Sequence, residues 1–220
     1  MRAGSCTAVA IALIAAVSFG SAALAHRRDE YLQAARIAVE PGRVDLELDL
    51  TPGIGVSSAT IADIDRDHDG MLSMEEKHAY VGRVFDAVVV ALDGTPLHVK
   101  PVSSVFPEFD AFRHGEGTIH LRSTVALPPQ AGGDHQLSFR NMDQRDGSVY
   151  LANALAPRSD RIVITAQRRD TTQRDLTIDY VLRPEPATVL SLWTMAGLTG
   201  LALLAGVLIR SSALGLSGVF

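Results

Sequence analysis

The run Ala187–Ile209 holds 23 residues without a single charge, and no other feature limits so sharply what this chain can fold into. At about 1.5 Å per helical residue it reaches roughly 34 Å, enough to cross a bilayer with some tilt. A helix lying on a soluble domain would show a polar face at 3.6 periodicity. Here only Thr188, Ser191, Thr194 and Thr199 break the apolar sequence. The pattern predicts one transmembrane helix, with 210–220 as a cytoplasmic tail headed by Arg210, as the positive-inside bias prefers. Pro184-Glu185-Pro186 reads as a proline-stiffened linker before it.

The other end is apolar for a different reason. Met1–Ala25 opens with Arg2, runs through Ala8–Val17 and closes on Ala23-Leu24-Ala25. A charged start, a short apolar middle and small residues at −3 and −1 predict a secretory signal peptide cut before His26. The sole cysteine, Cys6, would leave with it, so the mature chain can form neither a disulfide nor a thiolate metal site. The expectation is a single-pass cell-membrane protein whose main domain, 26–183, is periplasmic or otherwise extracytoplasmic. That segment is long enough for one domain with its own core. A net charge of −5 and the lack of a Lys/Arg cluster exclude nucleic acid as a partner.

Within the exported part, Arg43–Leu50 alternates Val44, Leu46, Leu48 and Leu50 with Asp45, Glu47 and Asp49, the signature of a half-buried strand. Tyr31–Glu40 precedes it across Pro41-Gly42, a turn dipeptide. Further strands are predicted at Leu97–Val102, Gly117–Val125, Gln136–Arg140, Val149–Ala154, Arg161–Gln167 and Leu176–Leu182. Two helices are predicted between the second strand and the rest. Val56–Ile64 is short; Ser73–Leu92 is longer, with Tyr80, Val84, Phe85 and Val88 on one face. The fold class is α+β: an antiparallel, sandwich-like β-rich domain with one inserted helix-loop-helix, plus the C-terminal transmembrane helix.

Between those helices lies Asp65-Arg66-Asp67-His68-Asp69-Gly70-Met71-Leu72-Ser73-Met74-Glu75-Glu76. It fits the twelve-residue calcium loop of the EF-hand. Ca2+ is a hard cation that takes six to eight oxygens at about 2.3–2.6 Å. Asp65, Asp67 and Asp69 supply carboxylates from alternate positions, and Gly70 allows the sharp turn. Met71 offers its backbone carbonyl, Ser73 acts directly or through water, and Glu76 closes the site with both oxygens. Leu72 stands where an apolar side chain packs inward. A register starting at Asp63 fails, because it puts His68 where glycine is required. One loop without a partner loop suits a structural ion better than a switch.

No catalytic constellation emerges: G-x-S-x-G, a Walker loop and H-E-x-x-H are all missing from the sequence. Phe106, Phe109 and Phe112 around Glu108 and Asp110 read as packing residues. His26, once N-terminal, would offer an α-amino nitrogen and an imidazole to nickel or copper, given a further histidine from His98, His114, His120 or His135.

Two resemblances bear on these readings. His26, Tyr31-Leu32, Leu46-Glu47-Leu48 and the loop residues Asp65, Asp67, Asp69, Gly70 and Glu76 resemble the N-terminal periplasmic part of HupE/UreJ-like hydrogenase and urease accessory proteins. That resemblance implies a metal-handling accessory role linked to nickel. The chain departs from it in offering one predicted span rather than a bundle of membrane helices. A lone helix cannot enclose a polar path for ions, so any transport role implies a separate transporter as partner. Pro184-Glu185-Pro186 also resembles the PEP-CTERM sorting tag, though Arg210 stands where that tag carries a basic cluster. The sequence therefore leads to a non-enzymatic, calcium-binding, membrane-anchored envelope domain that acts on another envelope protein. The alternative is a periplasmic accessory protein handling nickel or copper through His26.

Overall fold

A computed structural model describes residues 29–185. The predicted signal peptide, His26 and the predicted transmembrane helix lie outside those residues. The chain runs β1 (Tyr31–Glu40), β2 (Arg43–Pro52), α1 (Ile54–Ile64), α2 (Met74–Asp86), β3 (Val88–Leu92), β4 (Thr95–Leu97) and β5 (Pro101–Val105). It continues through α3 (Phe109–Arg113), β6 (Ile119–Ala126), β7 (Gly133–Asn141), β8 (Ser148–Ala154), β9 (Ile162–Arg169) and β10 (Asp175–Leu182). Two five-stranded sheets result, ordered β5-β6-β2-β1-β8 and β4-β3-β7-β10-β9. Their apolar faces feed one core, as in a β-sandwich.

The period-two pattern of β2 does what its chemistry requires. Val44, Leu46, Leu48 and Leu50 are buried, each worth about 1.5–3 kcal/mol relative to exposure. The outward carboxylates of Glu47 and Asp49 meet Arg36 of β1 at 3.0 and 2.9 Å. On the other side, β6 alternates in step, burying Ile119, Leu121 and Val125. From the second sheet, Leu137, Phe139, Leu176, Ile178 and Tyr180 complete the interior. A buried polar bridge links the two sheets: Asn141 Nδ2 donates to Gln33 Oε1 at 2.7 Å, and Gln33 Nε2 to Ser148 Oγ at 3.1 Å.

Three expectations need correction. The helix predicted over Ser73–Leu92 stops at Asp86, and Val88–Leu92 is a strand. The run Val88-Val89-Val90 is β-branched, which restricts χ1 in a helix, and the edge of β7 offers it a ladder from Val88↔Asn141 to Leu92↔Leu137. Asp93 and Gly94, both at positive φ, then make the two-residue hairpin turn into β4. The strand predicted over Leu97–Val102 is two strands, β4 and β5, at the edges of different sheets. Pro96 and Pro101 lack an N–H and suit edge positions. Finally, the antiparallel arrangement has one exception, since β8 runs parallel to β1 from Tyr31↔Ser148 onward.

The helices sit between β2 and β3, as expected. α1 buries Ser57, Thr60, Ile61 and Ile64, and α2 buries Tyr80, Val81, Val84 and Phe85. The short α3, not anticipated, buries Phe112 against the core. Gly115, at φ +70°, follows it so closely that an added Cβ would lie 2.3 Å from the Ile54 backbone nitrogen. That contact and the Ser57 Oγ bond to the Arg113 carbonyl (3.2 Å) fix α3 against the start of α1. α1 is thereby held firmly at the end opposite the acidic loop.

Candidate metal centre

The acidic loop joins the C-terminus of α1 to the N-terminus of α2. Asp65 is the C-cap of α1, and its backbone N–H reaches the Ile61 carbonyl. Burial of Ile61 and Ile64 draws this end of the helix into the core, and Asp65 follows to 6% exposure. One oxygen, Oδ2, accepts from the Gly70 N–H at 3.0 Å. The other, Oδ1, is buried and has no hydrogen-bond partner. A carboxylate there also faces the negative end of the helix dipole. Both facts favour a cation beside this carboxylate.

The rest of the loop turns on its own carboxylates. Asp67 Oδ1 accepts from the Asp69 N–H at 3.2 Å, and Asp69 Oδ1 from the Met71 N–H at 2.8 Å. Gly70 adopts φ +80° with open space about it, the left-handed conformation that glycine takes most readily. Leu72 is half-buried against the core, whereas the Met71 side chain is exposed.

Ser73 then starts α2 as its N-cap within a full capping box. Its hydroxyl donates to Glu76 Oε2 at 2.7 Å and accepts from the Glu76 N–H at 3.3 Å. Glu76 also accepts from the Ser73 N–H at 2.9 Å and, through Oε1, from the Arg66 N–H at 2.7 Å. The Ser73 hydroxyl, then the Ser73 and Arg66 backbone donors, hold the Glu76 carboxyl down at about 2. It is an anion at any physiological pH.

Oxygens of Asp65, Asp67 and Glu76 lie within 4.8 Å of one another. Among the described residues this is the one set of acidic, histidine or cysteine side chains so placed. The loop thus brings together three of its six expected ligand residues. Asp69 is turned onto Met71, and the Ser73 hydroxyl is engaged with Glu76. Asp63, the alternative first ligand, faces Arg66, Arg83 and Arg145 instead.

Among the described residues the histidines do not assemble into a metal-holding group. His120 meets Asp49, His135 lies between Asp93 and the Ala131 carbonyl, and His114 reaches back to the Asp110 carbonyl. Sequence reasoning missed the residues behind the loop. The hydroxyls of Tyr31 and Tyr80 are 2.7 Å apart and buried, and Arg145 donates to Tyr80 at 3.1 Å. Tyr80 was legible as a core-facing helix residue and Tyr31 as the start of a strand, but no spacing joins positions so far apart in the chain. Comparison with protein-family models, curated proteins and solved structures finds no match.

Proposed function

We propose that the loop Asp65–Glu76 binds one Ca2+ in the manner of an EF-hand, and that the ion serves to stabilise an exported domain. The reading is carried by one observation: a buried carboxylate oxygen of Asp65 lacks any partner while two further carboxylates stand within 4.8 Å. Three like charges this close repel strongly, and one dication would offset that repulsion. All the side chains offered are oxygen donors, which suits a hard cation and not nickel or copper. In this reading Asp69, Ser73 and the Met71 carbonyl would supply the remaining oxygens, Asp69 and Ser73 giving up their present bonds to the Met71 N–H and Glu76. Extracytoplasmic calcium at about 100 times the dissociation constant would add roughly 2.7 kcal/mol to domain stability.

The same proposal places the domain outside the cytoplasm. Cleavage before His26 exports it, Ala187–Ile209 anchors it, and Pro184-Glu185-Pro186 spaces it from the bilayer. It acts without catalysis, through another envelope protein or a transporter. Two measurements test this. Thermal unfolding with Ca2+ and with EDTA should differ by several degrees, and equal melting temperatures would count against the ion. N-terminal sequencing of the protein from membranes should begin at His26; recovery of Met1 would remove the basis for export.

A further inference from the structure

Beside the acidic loop lies a cavity of about 590 Å3, walled by α1, the end of α2, Tyr31 and the segment 143–146. Its volume falls within the range of small-molecule sites. Three guanidiniums on its wall converge on a single carboxylate. Arg66 and Arg83 approach Asp63 Oδ1 at 3.3 and 3.2 Å, and Arg145 approaches Oδ2 at 3.1 Å. Asp143 is the second anion, 2.9 Å from Arg145. Three cations therefore share two carboxylates. Asp146, also on the wall, is exposed on its turn and forms no ion pair among the described residues.

The donors are not exhausted by these contacts. A guanidinium carries five N–H groups. Arg66 spends Nη2 alone on Asp63, and Arg83 spends Nη2 alone on the Asp63 carboxylate and carbonyl. Their remaining N–H groups take no acceptor among the described residues. Two of the guanidiniums are held over rings: that of Arg145 lies 4.9 Å from the Tyr80 ring centroid and 5.5 Å from that of Tyr31, and that of Arg83 lies 5.6 Å from the Tyr80 centroid. A cation already fixed in place costs little ordering entropy when a ligand arrives. Val56, Ala59 and Ala87 add apolar surface to the lining.

We propose that this cavity binds a small organic anion, with a carboxylate head on Arg66 and Arg83 and a short aliphatic body against Val56 and Ala59. The planar fork of arginine can match a carboxylate bidentately, and Arg66 and Arg83 each use Nη2 alone on Asp63, which leaves the rest of both forks for a second carboxylate. If the arginines only stitch α1, α2 and the following loop together, the cavity takes no ligand. The inference does not depend on calcium, so the test is run in EDTA.

Ligand-observed NMR on the full chain, with hexanoate as probe, should show saturable binding with a dissociation constant of about 1 mM or tighter. Arg66→Gln changes an exposed side chain, and Ala59→Phe fills the apolar wall from an exposed helical position. Each should weaken binding about tenfold or more. Hexylammonium, of like size and opposite charge, should not saturate. Absence of saturable hexanoate binding, binding unchanged in both variants, or equal binding of hexylammonium would overturn the proposal.

Discussion

Replacing Asp65 by Asn separates a calcium ligand from an ordinary helix cap, because the two roles predict opposite signs. In EDTA the wild-type carboxylate keeps Oδ1 buried without a partner, at the negative end of α1. An unsatisfied buried group of this kind costs about 1–3 kcal/mol. Asn removes the charge and retains an oxygen for the Gly70 N–H, which is 3.0 Å from Oδ2. Its amide leaves a donor to be satisfied, so the net gain is about 0–2 kcal/mol. With calcium at about 100 times the dissociation constant, the variant forfeits roughly 2.7 kcal/mol of binding stabilisation. It should then be about 1–3 kcal/mol less stable than wild type. Far-UV circular dichroism melts of the full chain are the assay. At about 2–4 °C per kcal/mol, Asp65→Asn should melt roughly 2–12 °C below wild type in calcium and at or above it in EDTA. An equal loss in both buffers would refute the reasoning, since Asp65 would then be holding the loop rather than an ion.

Two further outcomes follow from other parts of the molecule. Tyr80→Phe removes the partner of the Tyr31 hydroxyl and an acceptor of Arg145; urea unfolding should show a loss of about 1–3 kcal/mol, and a change under about 0.5 kcal/mol would contradict the role given to this pair. His135 has both ring nitrogens on acceptors, Nδ1 2.8 Å from Asp93 and Nε2 2.9 Å from the Ala131 carbonyl, so both bonds exist only in the imidazolium. The Ala131 carbonyl first, then Asp93, raise its pKa above 6.5. A raised folded pKa contributes stability that is full below the unfolded value and is lost as pH rises through the folded one. The melting advantage of wild type over His135→Gln should therefore shrink as pH rises above about 6.5, and a pH-independent difference would sink the assignment.

The grouping of Asp65, Asp67 and Glu76 was legible because these residues fall within twelve consecutive positions, where local spacing decides geometry. β2 was legible for a similar reason: Val44, Leu46, Leu48 and Leu50 report their own burial by alternation. The end of α2 was not. Tyr80, Val84, Phe85 and Val88 continue a helical stripe, and all four are indeed buried, but Val88 is buried on a strand. The edge of β7, some fifty residues further on, decides that outcome. The parallel pairing of β1 with β8 and the stacking of Arg145 on Tyr31 and Tyr80 were invisible for the same reason. Both depend on contacts made only once the sheets have formed. The capping of α2 by Glu76, which also stands at the acidic cluster, rests on bonds to Ser73 that the spacing alone does not show.

The central claim is that this loop holds one hard dication, and equilibrium dialysis of the full chain against radioactive calcium measures it directly. Wild type should saturate at one ion per chain with a dissociation constant no weaker than about 1 mM, and Asp65→Asn and Glu76→Gln should each abolish that binding. A wild-type chain that takes up no calcium at concentrations of about 5 mM, or variants that bind as well as wild type, would contradict the account.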